Sequence, residues 1–297
     1  MTTPLRGALN DVERLFGRRD ALVGMIHLHP LPGSPRYDPA QGMPFTLKVA
    51  LEESELLARA GFDGLIVENA WDIPFLPPDS VGAETAAAMA VAVKAIKDAV
   101  AIPVGVNCLG NAVETSVAIA AAAGAEFVRA NQWVNAYVAN EGLINGRAGA
   151  CTRYRHAIGA DHVTVWADVQ VKLGSHAITA DRPLSEQARD AAFFDADALI
   201  VTGLRLADPP RSQDVEEVKQ AGGLATVVGS GVTPDNLAGF FACADAVIVG
   251  SSLKEGGQWF GEISPTAVAA LARARDEHVD SDGHGAIPRG LRTGQLT

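Results

Sequence analysis

Eight short runs of β-branched and aliphatic residues recur along the chain, at 22–28, 64–68, 102–107, 126–131, 162–169, 198–202, 225–229 and 246–250. Each is nearly continuous in its apolar character, the pattern of strands covered on both faces. Stretches with apolar residues at helical spacing lie after them, at 47–60, 84–100, 113–123, 147–158, 185–194, 215–221, 236–241 and 265–274. Gly61, Gly124 and Gly222 stand where helices should stop just before the next strand, a position that favours glycine. Strand and helix alternate eight times without a break in composition. This predicts an α/β chain of one domain over 1–297, a (β/α)8 barrel with strands within about 22–253 and a flexible tail from about Asp276. An open doubly wound sheet is the alternative, but no Gly-x-Gly-x-x-Gly follows the first strand.

Two late strands end in small residues. Val227-Val228-Gly229-Ser230-Gly231-Val232 is followed by Thr233-Pro234, and Val249-Gly250-Ser251-Ser252 closes the next run. Glycine lets backbone N–H groups approach an anion, serine adds hydroxyl donors, and Thr233-Pro234 reads as the start of a helix. Loops after the seventh and eighth strands form the phosphate site of many such barrels. Gly229, Ser230, Gly231, Gly250 and Ser251 are therefore the candidate anion holders. Two tight turns without a ligand would give the same residues.

Polar residues at the other strand ends are the candidate chemistry, because core strands should be apolar. They are His27, Glu68, Asn69, Asn107, Arg129, Asn131, Asp168 and Thr202, with Lys172 beyond the fifth strand. Alternation alone does not say whether Glu68 or Asn69 faces inward. Arg129 shares a face with Asn131, and Asp168 with Lys172 while the strand stays regular. Glu68 and Asp168 are candidate acid and base, and Lys172 and Arg129 candidate stabilisers of negative charge, so these four form the catalytic set. His27, Asn69, Asn107 and Asn131 are candidate substrate ligands. Lys172 can instead be read as a Schiff-base amine, and Glu68 as half of a structural ion pair. Glu68, Asp168 and His27 could bind one divalent metal, but no short spacing specifies it, and no cofactor is required.

Three loops after strands are long, at 29–46, 69–83 and 132–146. The first is rich in proline and the second holds Trp71 and Phe75. The third, with Trp133 and Tyr137, reads as a substrate lid or a packed loop.

Net charge is −11, which disfavours nucleic acid as a partner while allowing a small anionic substrate bound by local cations. The three cysteines, Cys108, Cys151 and Cys243, have no metal-type spacing and read as reduced thiols in a cytoplasm. No apolar signal segment opens the chain, and the Ala-rich run after Ala83 is broken by charges, so no integral membrane segment is expected. The apolar helices are compatible with a homo-oligomer.

These residues also carry a resemblance. The chain resembles the BtpA family over about 22–257, on Gly24-Met25-Ile26-His27-Leu28 with Pro30-Leu31-Pro32-Gly33-Ser34-Pro35 and on Asp63-Gly64-Leu65-Ile66-Val67-Glu68-Asn69 with Asp72-Ile73-Pro74-Phe75. Phe127-Val128-Arg129 with Asn131, Ala167-Asp168-Val169 with Lys172, and both glycine-serine turns add to it. The resemblance implies a TIM barrel of phosphate-binding type. It implies no one reaction: cyanobacterial members are linked to photosystem I accumulation, and bacterial members occur in sugar-utilisation settings. The chain departs from the family pattern at Asn107-Cys108-Leu109-Gly110-Asn111-Ala112, where a cation and a carboxylate are missing. It departs again at Ala139-Asn140-Glu141-Gly142 and at Leu173, which stands in place of a histidine.

The combined expectation is a cytoplasmic enzyme acting on a small phosphorylated or anionic sugar or nucleoside-like compound by acid/base chemistry, as an isomerase or lyase. The rivals are a nucleosidase-like hydrolase, with or without a metal, and a non-catalytic assembly factor.

Overall fold

The computed structural model describes residues 10–281. Ten strands and nine α-helices are found among them: α1 (Asp11–Phe16), β1 (Ala21–His27), α2 (Gly42–Arg59), β2 (Gly64–Glu68), α3 (Ala83–Ala99), β3 (Val104–Asn107), α4 (Val113–Ala123), β4 (Phe127–Ala130), β5 (Ala136–Ala139), β6 (Gly142–Asn145), α5 (Ala148–Ala157), β7 (Thr164–Val169), α6 (Leu184–Phe193), β8 (Ala198–Val201), α7 (Ser212–Gly222), β9 (Ala225–Val228), α8 (Leu237–Phe241), β10 (Ala246–Val249) and α9 (Pro265–Ser281). Eight strands close into a barrel in the order β1-β10-β9-β8-β7-β4-β3-β2, all pairs parallel, while β5 and β6 form a separate antiparallel hairpin. All eight expected barrel strands are present, so the closed barrel stands and the open sheet does not.

Each barrel strand buries both faces. One set of alternate residues, including Val23, Met25, Ile66, Phe127, Trp166, Ile200, Val227 and Ile248, fills the interior. The other set, including Leu22, Ile26, Leu65, Val67, Val106, Val128, Val165 and Val247, packs beneath the helices with Met89, Val93 and Val117. Phe127 and Trp166 stack across the interior with ring centroids 4.3 Å apart. Gly105 makes that possible: a Cβ there would lie 2.4 Å from the Phe127 ring.

Four features differ from expectation, the first being the β5–β6 hairpin inside the expected loop 132–146. Helix α1 was not expected; Val12, Leu15 and Phe16 pack against the interior cluster and close the N-terminal end of the barrel. Its Asp11 carboxylate accepts from Thr164 Oγ1 at 2.8 Å and Trp166 Nε1 at 2.7 Å. The tail begins later than Asp276, because α9 runs on to Ser281 with Val279 buried and His278 stacked on Phe241 at 5.3 Å; the rest of the expected tail lies outside the described residues. Gly223 rather than Gly222 takes the left-handed cap of α7, at φ 65°.

All three cysteines are free and buried, in keeping with reduced thiols. Burial pushes the Cys108 and Cys151 thiols up to about 12, so neither is a ready nucleophile. No helix among the described residues is long and apolar enough to cross a membrane.

Gly105→Ala is expected to cost about 1–3 kcal/mol through overpacking, read as a lower urea midpoint. Adding Phe127→Leu should return part of the loss; strictly additive losses would contradict the packing argument.

Candidate active site

The inward alternation of the barrel decides which polar residues meet. Glu68 follows Ile66 on the inner face, Arg129 and Asn131 follow Phe127, and Asp168 follows Trp166. His27 and Asn107 complete the same level, since β1, β2 and β3 pair His27 with Glu68 and Glu68 with Asn107. Thus the uppermost interior layer is polar while the layers below it are apolar. A cavity of about 370 Å³ lies above this layer at the C-terminal ends of the strands. Met25, His27, Glu68, Arg129, Asn131, Lys172 and Ile248 are in its wall, together with 229–232 and 250–252.

Arg129 and Asp168 form a closed pair. Nε and Nη2 of Arg129 donate to the two Asp168 oxygens at 2.9 Å each, and Asn131 Nδ2 donates to Oδ2 at 3.0 Å. Burial opposes charge on Arg129, yet the adjacent Asp168 carboxylate outweighs it and raises the guanidinium pKa. Asp168 is thereby kept from the cavity wall, and an acid/base role for it is not what the geometry offers. Its place is to fix Arg129 and Asn131. The expected Asp168–Lys172 pair does not form. β7 ends at Val169, and Gln170 turns the chain at φ 57°, so the alternation linking the two residues is broken.

Lys172 lies instead in the cavity wall. Its backbone N–H donates to Thr202 Oγ1 at 3.0 Å, and its Nζ donates to the Gly229 carbonyl at 3.3 Å. Burial, and then the nearby Arg129 charge, bring its pKa down to about 8, against the opposing pull of Asp168 and Glu68. Gly229 has no room for a side chain: a Cβ would lie 2.5 Å from Ile200 Cγ2 and 3.4 Å from Arg129 Nη2.

Glu68 pairs with neither cation. Its Oε2 accepts from Asn107 Nδ2 at 2.6 Å, and Oε1 lies 3.9 Å from His27 Nε2. Burial is the main cause that lowers the His27 pKa, so its imidazole is held neutral. The buried Asn107 Oδ1 and Asn131 Oδ1 have no hydrogen-bond partner among the described residues; of the two, only Asn131 lines the cavity.

Two expected ligands serve the loops. Asn69 faces outward, where its amide donates to Asp72 at 3.0 Å and its oxygen accepts from the Leu109 N–H at 2.8 Å. Asp72 also accepts from the Leu31 N–H at 2.9 Å, so this cluster joins the first and second loops. The Ser230 hydroxyl is consumed by the Asp208 carbonyl at 2.7 Å and the Gly203 N–H at 2.9 Å. Ser230 keeps only its backbone N–H for an anion. That N–H and those of Gly231, Val232, Gly250, Ser251 and Ser252 make no hydrogen bond among the described residues. Gly231 is at φ 69° against Pro209, a position closed to other residues. Helix α8 spans only Leu237–Phe241, although the Leu237 N–H already reaches back to the Thr233 carbonyl. The free loop amides, not a helix dipole, are what remains for an anion.

Of the three candidate metal ligands, Glu68 and His27 meet, with Oε1 3.9 Å from Nε2, and Asp168 does not join them. Asp168 is turned to Arg129, and among the described residues no group of three His, Cys, Asp or Glu side chains is placed to hold a metal ion.

Several wall residues were not singled out from the sequence. Trp259, in the loop after β10, lines the cavity and its carbonyl lies 3.3 Å from His27 Nδ1. The signal was the length of 250–264, another long loop on the same face. In the third long loop, whose expected readings were a substrate lid or a packed loop, Tyr137 and Glu141 do reach the wall, from the β5–β6 hairpin. Trp133 belongs to the core, with its indole N–H donated to the Phe194 carbonyl at 2.8 Å.

A family model for the BtpA family matches residues 18–277. The chain belongs to the BtpA family. It is 35% identical to the photosystem I biogenesis protein BtpA of Synechocystis over 91% of this chain and 93% of that protein. It is 34% identical to an uncharacterized mitochondrial protein of Caenorhabditis elegans, over 87% of this chain and 94% of the relative. Among solved structures, tryptophan synthase of Mycobacterium tuberculosis superposes with a TM-score of 0.57 at 17% identity, covering 90% of this chain and 98% of that one. Thiamine phosphate pyrophosphorylase of Pyrococcus furiosus gives 0.54 at 14% identity, covering 91% and 100%. At such identities the likeness concerns the TIM-barrel fold alone.

Asp168→Asn leaves the Arg129 charge buried without its partner and is expected to cost about 3–5 kcal/mol in urea unfolding. Arg129→Met combined with Asp168→Leu should cost much less than the two changes summed. A loss no larger than that of a surface pair, about 1 kcal/mol, would contradict this account.

Proposed function

We propose that this BtpA-family barrel is an enzyme that moves a proton beside the carbonyl or at the anomeric centre of a small phosphorylated or otherwise anionic sugar or nucleoside-like compound. Isomerisation or bond cleavage follows from that step. The observation that carries the reading is the charge arrangement around the cavity. Glu68 and Lys172 share its wall, and neither is neutralised by an ion pair with a side chain of opposite formal charge.

In this reading the free amides of 230–232 and 250–252 hold the anionic end of the substrate. Glu68, oriented by Asn107, takes and returns the proton. Lys172 and Arg129 face the oxygen on which negative charge develops, in a partly dry site where such contacts are strong. Asn131, anchored to Asp168 through its amide, offers its free carbonyl oxygen to a substrate hydroxyl. Asp168 is a positioning residue. A barrel serving only as an assembly factor would neutralise the charges at its strand ends internally. Arg129 and Asp168 meet that description, whereas Glu68 and Lys172 do not.

Melting temperature against inorganic phosphate, ribose 5-phosphate and other sugar phosphates tests the reading. A ligand at 100 times its Kd adds roughly 2.7 kcal/mol, a shift of several degrees. Ser251→Glu is expected to abolish the shift, and Glu68→Gln to keep it. No shift with any phosphorylated compound would contradict the anion site.

A further inference from the structure

All six lysines of the chain lie among the described residues, and five of them are paired with carboxylates. Lys48 pairs with Glu52, Lys94 with Asp98, Lys97 with Glu126, Lys219 with Asp245 and Lys254 with Glu53. Lys172 is the exception: its Nζ has a single partner, the neutral carbonyl of Gly229 at 3.3 Å. It is also the lysine in the wall of the active-site cavity. Two carboxylates stand near it, but Asp168 is committed to Arg129, and Glu68 is held toward Asn107 and His27. The backbone at this position is held by the Thr202 hydroxyl, which accepts from the Lys172 N–H, and lies between Gln170 and Leu173 at left-handed φ of 57° and 67°. An amine needed only as a structural cation would be expected to have a carboxylate, as the other five do.

We propose that the Lys172 amine attacks the carbonyl carbon of a phosphorylated aldehyde or ketone and holds it as a protonated imine. The proposal rests on the reading above and replaces a hydrogen bond from Lys172 with a covalent bond. The nitrogen lone pair forms the C–N bond while the carbonyl π pair moves to oxygen. A proton passes from nitrogen to that oxygen, giving the carbinolamine. Glu68 takes the proton that the Lys172 ammonium gives up before attack and delivers it to the carbinolamine oxygen; the C–O bond breaks and water leaves. One amine, one carbonyl and one proton give one iminium and one water, with no oxidant or reductant. The iminium then draws electrons from the adjacent C–H bond, whose proton Glu68, now ionised, accepts. The lowered pKa suits this use. At about 8, Lys172 is neutral at pH 7 roughly 300-fold more often than a lysine at the usual value.

Glycolaldehyde phosphate followed by sodium borohydride, applied to the full-length chain, tests the proposal by peptide mapping. The reduced adduct is expected on Lys172, at least about tenfold over any other lysine. It should be suppressed by inorganic phosphate, grow as pH rises through about 8 and vanish in Lys172→Arg, a variant whose melting temperature reports that it is folded. Adducts spread over Lys48 and Lys94 with none on Lys172 would overturn the imine. If phosphate still raised the melting temperature in that case, the anion site and the proton-transfer reading would stand, with Lys172 acting through a hydrogen bond. Neither a phosphate shift nor a Lys172 adduct would remove both.

Discussion

The bidentate pair between Arg129 and Asp168 occupies the centre of the uppermost layer inside the barrel, and the character of the site depends on it. Two charges buried at the mouth of an apolar interior are tolerated because each satisfies the other, with Asn131 completing the Asp168 oxygens. That closure has a consequence for the neighbours. Asp168 is removed as a partner for Lys172, and Arg129 is removed as a partner for Glu68. The result is a cavity whose wall holds an acid and an amine that do not cancel one another.

The two ends of the barrel divide their work. At the N-terminal end, α1 closes the interior with Phe16 and ties Asp11 to Thr164 and Trp166. In the middle, Phe127 and Trp166 fill the barrel, and glycine at 105 leaves space for the ring. At the C-terminal end the same alternation brings His27, Glu68, Asn107, Arg129 and Asp168 to one level. The lower layers are apolar packing, while the polar strand ends and the loops beyond them line the cavity.

The barrel was legible because buried parallel strands read as continuous apolar runs, and all eight runs stand out. The strand-end residues were legible for the complementary reason, since Glu68, Arg129 and Asp168 interrupt such runs. What alternation left open was which parity faces inward. Ile66 settles this for Glu68 and sends Asn69 outward, where it ties loops together. The Asp168–Lys172 pairing failed because alternation holds only while a strand lasts, and β7 ends before Gln170. The hairpin was hidden by its length: Tyr137 and Ile144 are buried while Val138 and Leu143 are exposed, too few positions for a period of two to register. The Ser230 hydroxyl looked like an anion donor because its bond to Asp208 joins residues far apart in sequence. Helix α1 is only 6 residues long, and its role emerges only once the barrel is closed above it.

The fold leaves the Lys172 amine without a carboxylate partner. Its titration is the direct measure. In the folded chain Lys172 should release its proton as pH passes about 8, while the unfolded chain keeps it to about 10.4. The unfolded state then binds more protons in that window, so this group makes stability rise with pH across it. Heteronuclear NMR on the side-chain methylene carbons of labelled lysine, assigned through Lys172→Arg, would follow all six amines at once. The account predicts a Lys172 midpoint near 8 that phosphate moves. A Lys172 midpoint at the ordinary lysine value of about 10.4 would contradict it.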